Sequence, residues 1–311
     1  MKMIEHTQTI PKTELPCGDI ALDIETEGLT RDRDAVFLVG VLLGGEDFDT
    51  LTQWILPAPE PAAERELLEC VAARIAGHSL LTFNGEAFDL PFLAHRAQKR
   101  GVLWPEIISR DLYAQLRRIR KFLALPNLKL KTVEHELGIS RKDELSGAQV
   151  AQLYRHADRP DILEKLLLHN REDVLYTARL LAYFERVEAD MSFSHERNGD
   201  ELHFRLIRYD GRKDFAYLTF QIRSATELRL AYEDQFSRIQ RNGDEVEIRL
   251  PRHVGSWNGE QLDVTVCPDA AGDFSPYGLR TPLLCLADKK RCYTKNLIQA
   301  ARSAVRRAFS T

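Results

Sequence analysis

The 311-residue sequence predicts an α/β domain, a sheet with helices against it, followed by a smaller β-rich α+β domain. Three observations predict it. The length exceeds what one core usually needs, so two domains are expected. Residues 19–188 read as three strands, a helix, a strand and a run of helices, the order of an α/β sheet. After Met191 the composition shifts to strand-like segments punctuated by Asx-Gly pairs.

The elements follow in order. "DIALDIE" alternates after Ile20, and "AVFLVGVLL" is a continuous apolar run rich in β-branched residues. "DTLTQWIL" is a third strand, and Gly40-x3-Gly44-Gly45 reads as a turn ending the second. Pro57, Pro59 and Pro61 break the chain before "AAERELLECVAARIA", which has helical spacing. "SLLTF" is a short buried strand ending at an Asn84-Gly85 turn, with Asn84 as helix N-cap. Helices are expected over 87–100, 112–123, 129–137, 146–156 and 160–188, with Asp111 capping the second. Beyond Met191, "ELHFRLIRY", "FAYLTFQI", "DEVEIRL" and "QLDVTVC" read as strands, with hairpin turns at Asp210-Gly211, Asn242-Gly243 and Asn258-Gly259. A helix from Lys295 to Phe309 closes the chain. The domains are drawn as an N-terminal extension over 1–16, an α/β domain over 17–190 and a β-rich domain over 191–311.

Composition excludes several classes. Hydrophobic residues make up 44% and charged residues 29%, a soluble globular balance. There is no apolar run of about 18 residues, so no membrane partner is expected. The N-terminus "MKMIEHTQTIPKTELP" has no apolar core and is not expected to be a signal peptide. Cys17, Cys70, Cys267, Cys285 and Cys292 form no CxxC pair, which argues against a disulfide frame or zinc site and favours a reducing cytoplasm. GxxxxGK[ST] and GxGxxG are both absent, which removes P-loop and dinucleotide folds. Residues 191–311 carry 19 Lys+Arg against 16 Asp+Glu, leaving 24 against 31 in residues 1–190. Such totals do not decide whether a polyanion binds, because local patches matter more.

Four acids in three places carry the chemistry. In "IALDIETEG", strand alternation turns Asp23 and Glu25 to one face, about 6.6 Å apart along the backbone. Two like charges there repel unless a cation neutralises them, or unless the strand end opens into water. In "FNGEAFDLPFL", Asp89 lies in the first turn of a helix, where the dipole favours a negative charge. Phe88 either packs on the core with Phe92 or stacks on a base. In "EKLLLHNREDVLYTARLLAYF", Ile162, Leu166, Leu180 and Phe184 form one stripe that also contains His169 and Asp173. Arg171, Glu172 and Arg179 fall on the opposite, wet face. An Asp on a core-facing stripe needs a partner, either His169 one turn away or a metal.

The ordered set "LDIETEGL", "FNGEAFDLPFL" and "HNREDV", with "SRDLY" and "LKLKTVEHELGI" between, resembles the DEDD (DnaQ-like) 3′–5′ exonucleases of the ribonuclease H-like fold. It is nearest to the YprB-type predicted exonucleases and the exonuclease domains of B-family DNA polymerases, and it covers residues 17–188. One departure stands out: His169 occupies the Tyr-x3-Asp spacing, where family members with His use His-x4-Asp. The resemblance implies a mixed sheet and metal-dependent hydrolysis of DNA or RNA by two Mg2+ or Mn2+ ions, with single-stranded 3′ ends as partner. Asp23, Glu25, Asp89 and Asp173 are the implied metal ligands, and His169 joins them as catalytic base. Candidate substrate contacts are Thr26, Asn84, Phe88, Arg117, Arg120 and Lys121. The last three belong to "LRRIRKFLALPNLKLK", which also holds Lys129 and Lys131 and reads either as a phosphate track or as a solvated face. The basic tail "KKRCYTKNLIQAARSAVRR" reads as an amphipathic surface helix or a nucleic-acid contact. A rival reading is a catalytically inactive nucleic-acid-binding module of the same fold. Residues 191–311 carry no motif and could dock a protein partner.

Four converging carboxylates destabilise a metal-free site. Thermal melts are therefore expected to move upward on titration with Mg2+ or Mn2+, and a melting temperature indifferent to both ions would count against the metal assignment.

Overall fold

Apolar, β-branched runs build the first sheet. In the computed structural model, which describes residues 2–224 and 230–310, these runs become β2 (Ile20–Thr26), β3 (Val36–Leu43) and β4 (Phe48–Ile55). The chain forms two compact units: residues 1–118 with 126–183, and residues 119–125 with 184–311.

In the first unit β1 (Ile4–Pro11), β5 (Ser79–Thr82) and β6 (Ile108–Asp111) complete a six-stranded mixed sheet ordered β1-β4-β3-β2-β5-β6. β2 runs antiparallel to β3 and parallel to β5. The helices are α1 (Pro61–Ile75), α2 (Asp89–Arg100), α3 (Leu112–Arg118), α4 (Leu130–Glu136), α5 (Gly147–Leu153) and α6 (Pro160–Asp190), the last as far as Tyr183. Ile20, Leu22 and Ile24 face a core shared with Leu67, Phe92, Val150 and Leu166.

Within the expected N-terminal extension, β1 joins this sheet. Ile4–Pro11 pairs with β4 over eight residues, and Asp49 accepts hydrogen bonds from the Thr13 backbone (2.8 Å) and hydroxyl (2.6 Å) while pairing with Lys12 (2.9 Å). Alternating polar residues on an exposed edge strand hid it from hydrophobic patterning. Gly40 is also no turn. It sits inside β3, where a Cβ would lie 2.3 Å from Asn170 Oδ1 and 2.8 Å from Val174 Cγ2, so its lack of a side chain lets α6 approach the sheet.

The second unit is antiparallel. β7 (Ser192–Arg197), β8 (Asp200–Arg212), β9 (Phe215–Arg223), β10 (Ala231–Glu233), β11 (Arg238–Asn242) and β12 (Glu245–Pro251) form a sheet ordered β10-β11-β12-β9-β8-β7. β13 (His253–Trp257), β14 (Glu260–Val266) and β15 (Leu283–Asp288) form a second, and α7 (Thr294–Ser310) packs on the core through Leu297, Ala301 and Val305. Asn258-Gly259 is a hairpin turn, both residues at positive φ. Asp210-Gly211 is not: both lie within β8, paired to β9, and the chain reverses at Lys213-Asp214.

Gly40→Ala should cost about 1–3 kcal/mol in urea denaturation by forcing α6 off the sheet. Unchanged stability would mean that α6 does not depend on that contact.

Candidate active site

The geometry starts on β2. Side-chain alternation sends Asp23 and Glu25 away from the core face, and β2 lies centrally in the sheet. A bulge opposite Glu25 and Thr26 lets the pairing skip from Leu38 to Val36, a distortion suited to aiming a side chain. Asp89 is the first residue of α2, and its Oδ1 accepts the Ile24 backbone N–H at 3.1 Å. That N–H is available because pairing of β2 with β5 ends at Ala21–Leu81. Asp89 is thereby tied to the strand that carries the first two acids.

α6 supplies the rest. His169 and Asp173 stand one turn apart, with His169 Nε2 3.5 Å from Glu25 Oε1 and 3.6 Å from Asp173 Oδ2. One ligand atom from each of Glu25, His169 and Asp173 lies within 4.8 Å of the others. Asp23 Oδ2 accepts Asn170 Nδ2 at 3.0 Å, and Asn170 Oδ1 accepts Gln53 Nε2 at 2.8 Å. A chain of amides from β4 through α6 thus orients the acid on β2.

Burial pushes Asp23 well above the usual carboxylate range, and the charges of Asp173, Glu25 and Asp89 add to it, only partly opposed by Asn170. Burial, then Asp173, Asp89 and Asp143, raise Glu25 in the same way. Burial lifts Asp89 to about 7 despite the Ile24 N–H. These buried, mutually repelling oxygens are a donor set suited to hard divalent cations, which reverse each shift on binding.

One cation is built in. Arg141, in the loop between α4 and α5, is gripped by both Glu134 oxygens and donates through Nη1 to Asp173 Oδ1. Two residues on, Asp143 Oδ2 lies 2.7 Å from His169 Nδ1. Burial raises Asp143, but hydrogen bonds from the Leu145 backbone and His169 outweigh it and hold the acid below its ordinary range. A carboxylate at Nδ1 fixes the proton there and turns Nε2 toward the acids. The loop is anchored by Glu172, whose oxygens accept the backbone N–H groups of Lys142 (3.1 Å) and Asp143 (2.9 Å). Glu172 is therefore buried, 4% exposed, and not on a wet face as the helical projection expects. The loop covers that side of α6, and no periodicity within α6 reports it.

The candidate substrate contacts have mixed fates. The Thr26 hydroxyl donates to the Gly28 carbonyl at 2.7 Å. Asn84, at φ 68°, is a turn residue and not an N-cap; Asp111 accepts its N–H (3.0 Å) along with those of Glu86 (3.0 Å) and Ala114 (3.1 Å). Asp111 does cap α3, as expected. Phe88 is half-buried, its ring 5.4 Å from that of Phe92. Arg117 is exposed on α3, whereas Arg120 and Lys121 belong to the second unit and donate to the Leu125 and Tyr209 carbonyls. Lys131 donates to the Leu145 carbonyl at 2.7 Å, clamping the Asp143 loop. The basic run is thus no continuous track. Asn170 could have been found from its place on the sheet side of "HNRED"; Arg141 and Asp143 sit in a loop with no periodic signal.

Residues 20–185, more than half of the chain, match the family model of the RNase_H superfamily. The chain belongs to the ribonuclease H superfamily. Among curated proteins it is 35% identical to "Uncharacterized protein YprB" of Bacillus subtilis (strain 168) over 181 residues, which are 56% of this chain. It spans only 43% of the length of that relative. This is the YprB-type likeness that the motifs suggest. Among solved structures, Escherichia coli exonuclease I in complex with a dT13 oligonucleotide shows 14% identity over 66% of this chain and 55% of that one, with a TM-score of 0.30. A moderately thermophilic exonuclease I from Methylocaldum szegediense gives 15%, 65%, 54% and 0.33. A nuclease in its apo form gives 25%, 55%, 78% and 0.31. No helix among the described residues of this ribonuclease H superfamily member is long and apolar enough to cross a membrane.

An acid whose folded pKa is raised stabilises the fold below its unfolded value, near 4, and loses that contribution as pH rises through the folded one. For Asp89 this window runs from about 4 to about 7. With metal chelated, Asp89→Asn should melt close to the native protein at pH 4 and above it at pH 8, roughly 2–4 °C for each kcal/mol saved by not burying the charge. Parallel melting curves across this range would show that burial does not penalise the charged form of Asp89.

Proposed function

We propose that the first unit is a metal-dependent 3′–5′ exonuclease that hydrolyses phosphodiester bonds at single-stranded ends of DNA or RNA. The single observation that carries this reading is the gathering of Asp23, Glu25 and Asp89 with His169 and Asp173 on a ribonuclease H superfamily fold. Polarity rests on the motif resemblance to the DEDD exonucleases.

Asp23, Glu25, Asp89 and Asp173 would hold two Mg2+ or Mn2+ ions, which when bound supply charge neutralisation and polarise the attacking and leaving oxygens. The protein's own groups do the rest. His169 Nε2, its tautomer set by Asp143, accepts the proton of the attacking water. Asp143 keeps the imidazole from rotating. Asn170 holds Asp23 in one rotamer and leaves its other oxygen available. Arg141 balances part of the Asp173 charge through Nη1, while its Nε and Nη2 are held by Glu134.

The test is digestion of 5′-labelled single-stranded DNA and RNA by the full chain in Mg2+ or Mn2+. A ladder shortening from the 3′ end is expected. Asp23→Ala should abolish it, and His169→Ala should lower kcat by about 10²–10⁴-fold. Intact oligonucleotides would favour the inactive binding module, and digestion surviving Asp23→Ala would assign the activity to a contaminant.

A further inference from the structure

α7 has two unlike faces. Leu297, Ala301, Ala304 and Val305 are buried in the core of the second unit. Lys295, Arg302 and Arg306 recur at intervals of seven and four residues, one helical stripe about 16 Å long at 1.5 Å per residue. This stripe is exposed. It forms one wall of a concavity of about 690 Å3, within the second unit alone, with Ser192 and Phe193 of β7 opposite and Phe274 at its edge.

Three features mark it as a built groove. Lys295 and Arg302 are exposed and have no carboxylate partner among the described residues, while the Arg302 guanidinium lies 5.7 Å from the Phe193 ring. Phe274 is 57% exposed, yet its backbone is fixed: its N–H donates to Asn296 Oδ1 at 2.9 Å. Gln299 fastens the preceding residues, accepting from Ala271 N (2.6 Å) and donating to the Gly272 carbonyl (2.9 Å). An apolar ring of this size is held in water beside unpaired cations, and the fold does not use it as core. Of the two acids in the groove, Asp269 is already paired with Arg306 at 2.7 Å, leaving Asp190 against Lys295 and Arg302. His195 stacks on Phe309 at 4.9 Å.

We infer that this groove of the second unit is a single-stranded nucleic-acid site, with Lys295 and Arg302 on phosphates and Phe274 stacking on a base. Cations spaced along a helix match a flexible polyanion, and an exposed ring beside them matches the flat faces of bases, which an acidic polypeptide lacks. The inference deepens the nuclease reading, on which it rests for its substrate class: a strand held here is retained while its end is processed elsewhere on the same chain.

The test is fluorescence anisotropy of the full chain with labelled oligothymidylate and oligouridylate of about 16 nucleotides, in EDTA so that hydrolysis plays no part. The double variant Lys295→Glu/Arg302→Glu should bind at least about tenfold more weakly, with the slope of log K against log salt reduced by about 1.4 for two lost phosphate contacts. Phe274→Ala should weaken binding without changing that slope. Reversal of Lys213 and Lys289, exposed outside the groove, controls for net charge, and far-ultraviolet circular dichroism controls for folding. Native protein that does not bind, groove variants that bind like the native chain, or equal loss in the control variant would each overturn the inference. So would equal displacement by poly-aspartate of the same charge, which would assign the groove to an acidic protein segment. If the native chain binds through these residues yet cleaves nothing in Mg2+ or Mn2+, the groove stands and the nuclease reading falls.

Discussion

Mutual repulsion among buried carboxylates is the constraint around which the first unit is built. Asp23, Glu25 and Asp89 are all held above their ordinary pKa by burial first, and in each case the charge of Asp173 adds to it, while backbone N–H groups oppose the rise at Asp89. A fold selected for stability alone would not bring acids from β2, α2 and α6 to one place. The sheet makes the arrangement possible because its central strand is rigid, and because the short pairing of β2 with β5 leaves the Ile24 N–H for Asp89. Strain of this sort is tolerated where a ligand relieves it, and the remaining core of buried Leu, Ile, Val and Phe offsets its cost.

The supporting groups act by position and not by proximity to a reacting atom. Gly40 permits α6 to reach the sheet, Gln53 orients Asn170, and Asn170 orients Asp23. On the other side of α6, Glu172 pins the loop that presents Arg141 and Asp143. Arg141 is itself fixed by Glu134, so Asp173 meets a guanidinium whose direction is set in advance. His169 is consequently held at both ends: Asp143 at Nδ1 and two acids facing Nε2. A histidine at the Tyr-x3-Asp spacing can therefore still point into the acid cluster, because α6 places residues four apart on one face.

In the second unit the same logic of two faces applies to a single helix. The apolar stripe of α7 is consumed by the core, which makes its basic stripe available as the wall of a groove. Residues 191–311 carry no motif, so a polar lining made of side chains far apart in sequence gives no linear signature. Asn296 and Gln299 matter there for what they fasten: they hold the Ala271–Phe274 stretch against the helix.

The sequence by itself determined what depends on near neighbours. Period-two alternation identified β2 and put Asp23 and Glu25 on one of its faces, 3.6-residue periodicity put His169 and Asp173 on one face of α6, and a run rich in β-branched residues identified β3. Tertiary structure decided what depends on which surface covers which. Glu172 looked wet because nothing in α6 foretells the loop that buries it. Ile4–Pro11 looked like a tail because an edge strand is polar, and Gly40 looked like a turn because its use lies in the approach of a helix 130 residues later. Arg141 and Asp143 were invisible for the same reason. Local periodicity fixes the direction of a side chain, but a partner brought in by chain folding fixes what that side chain meets.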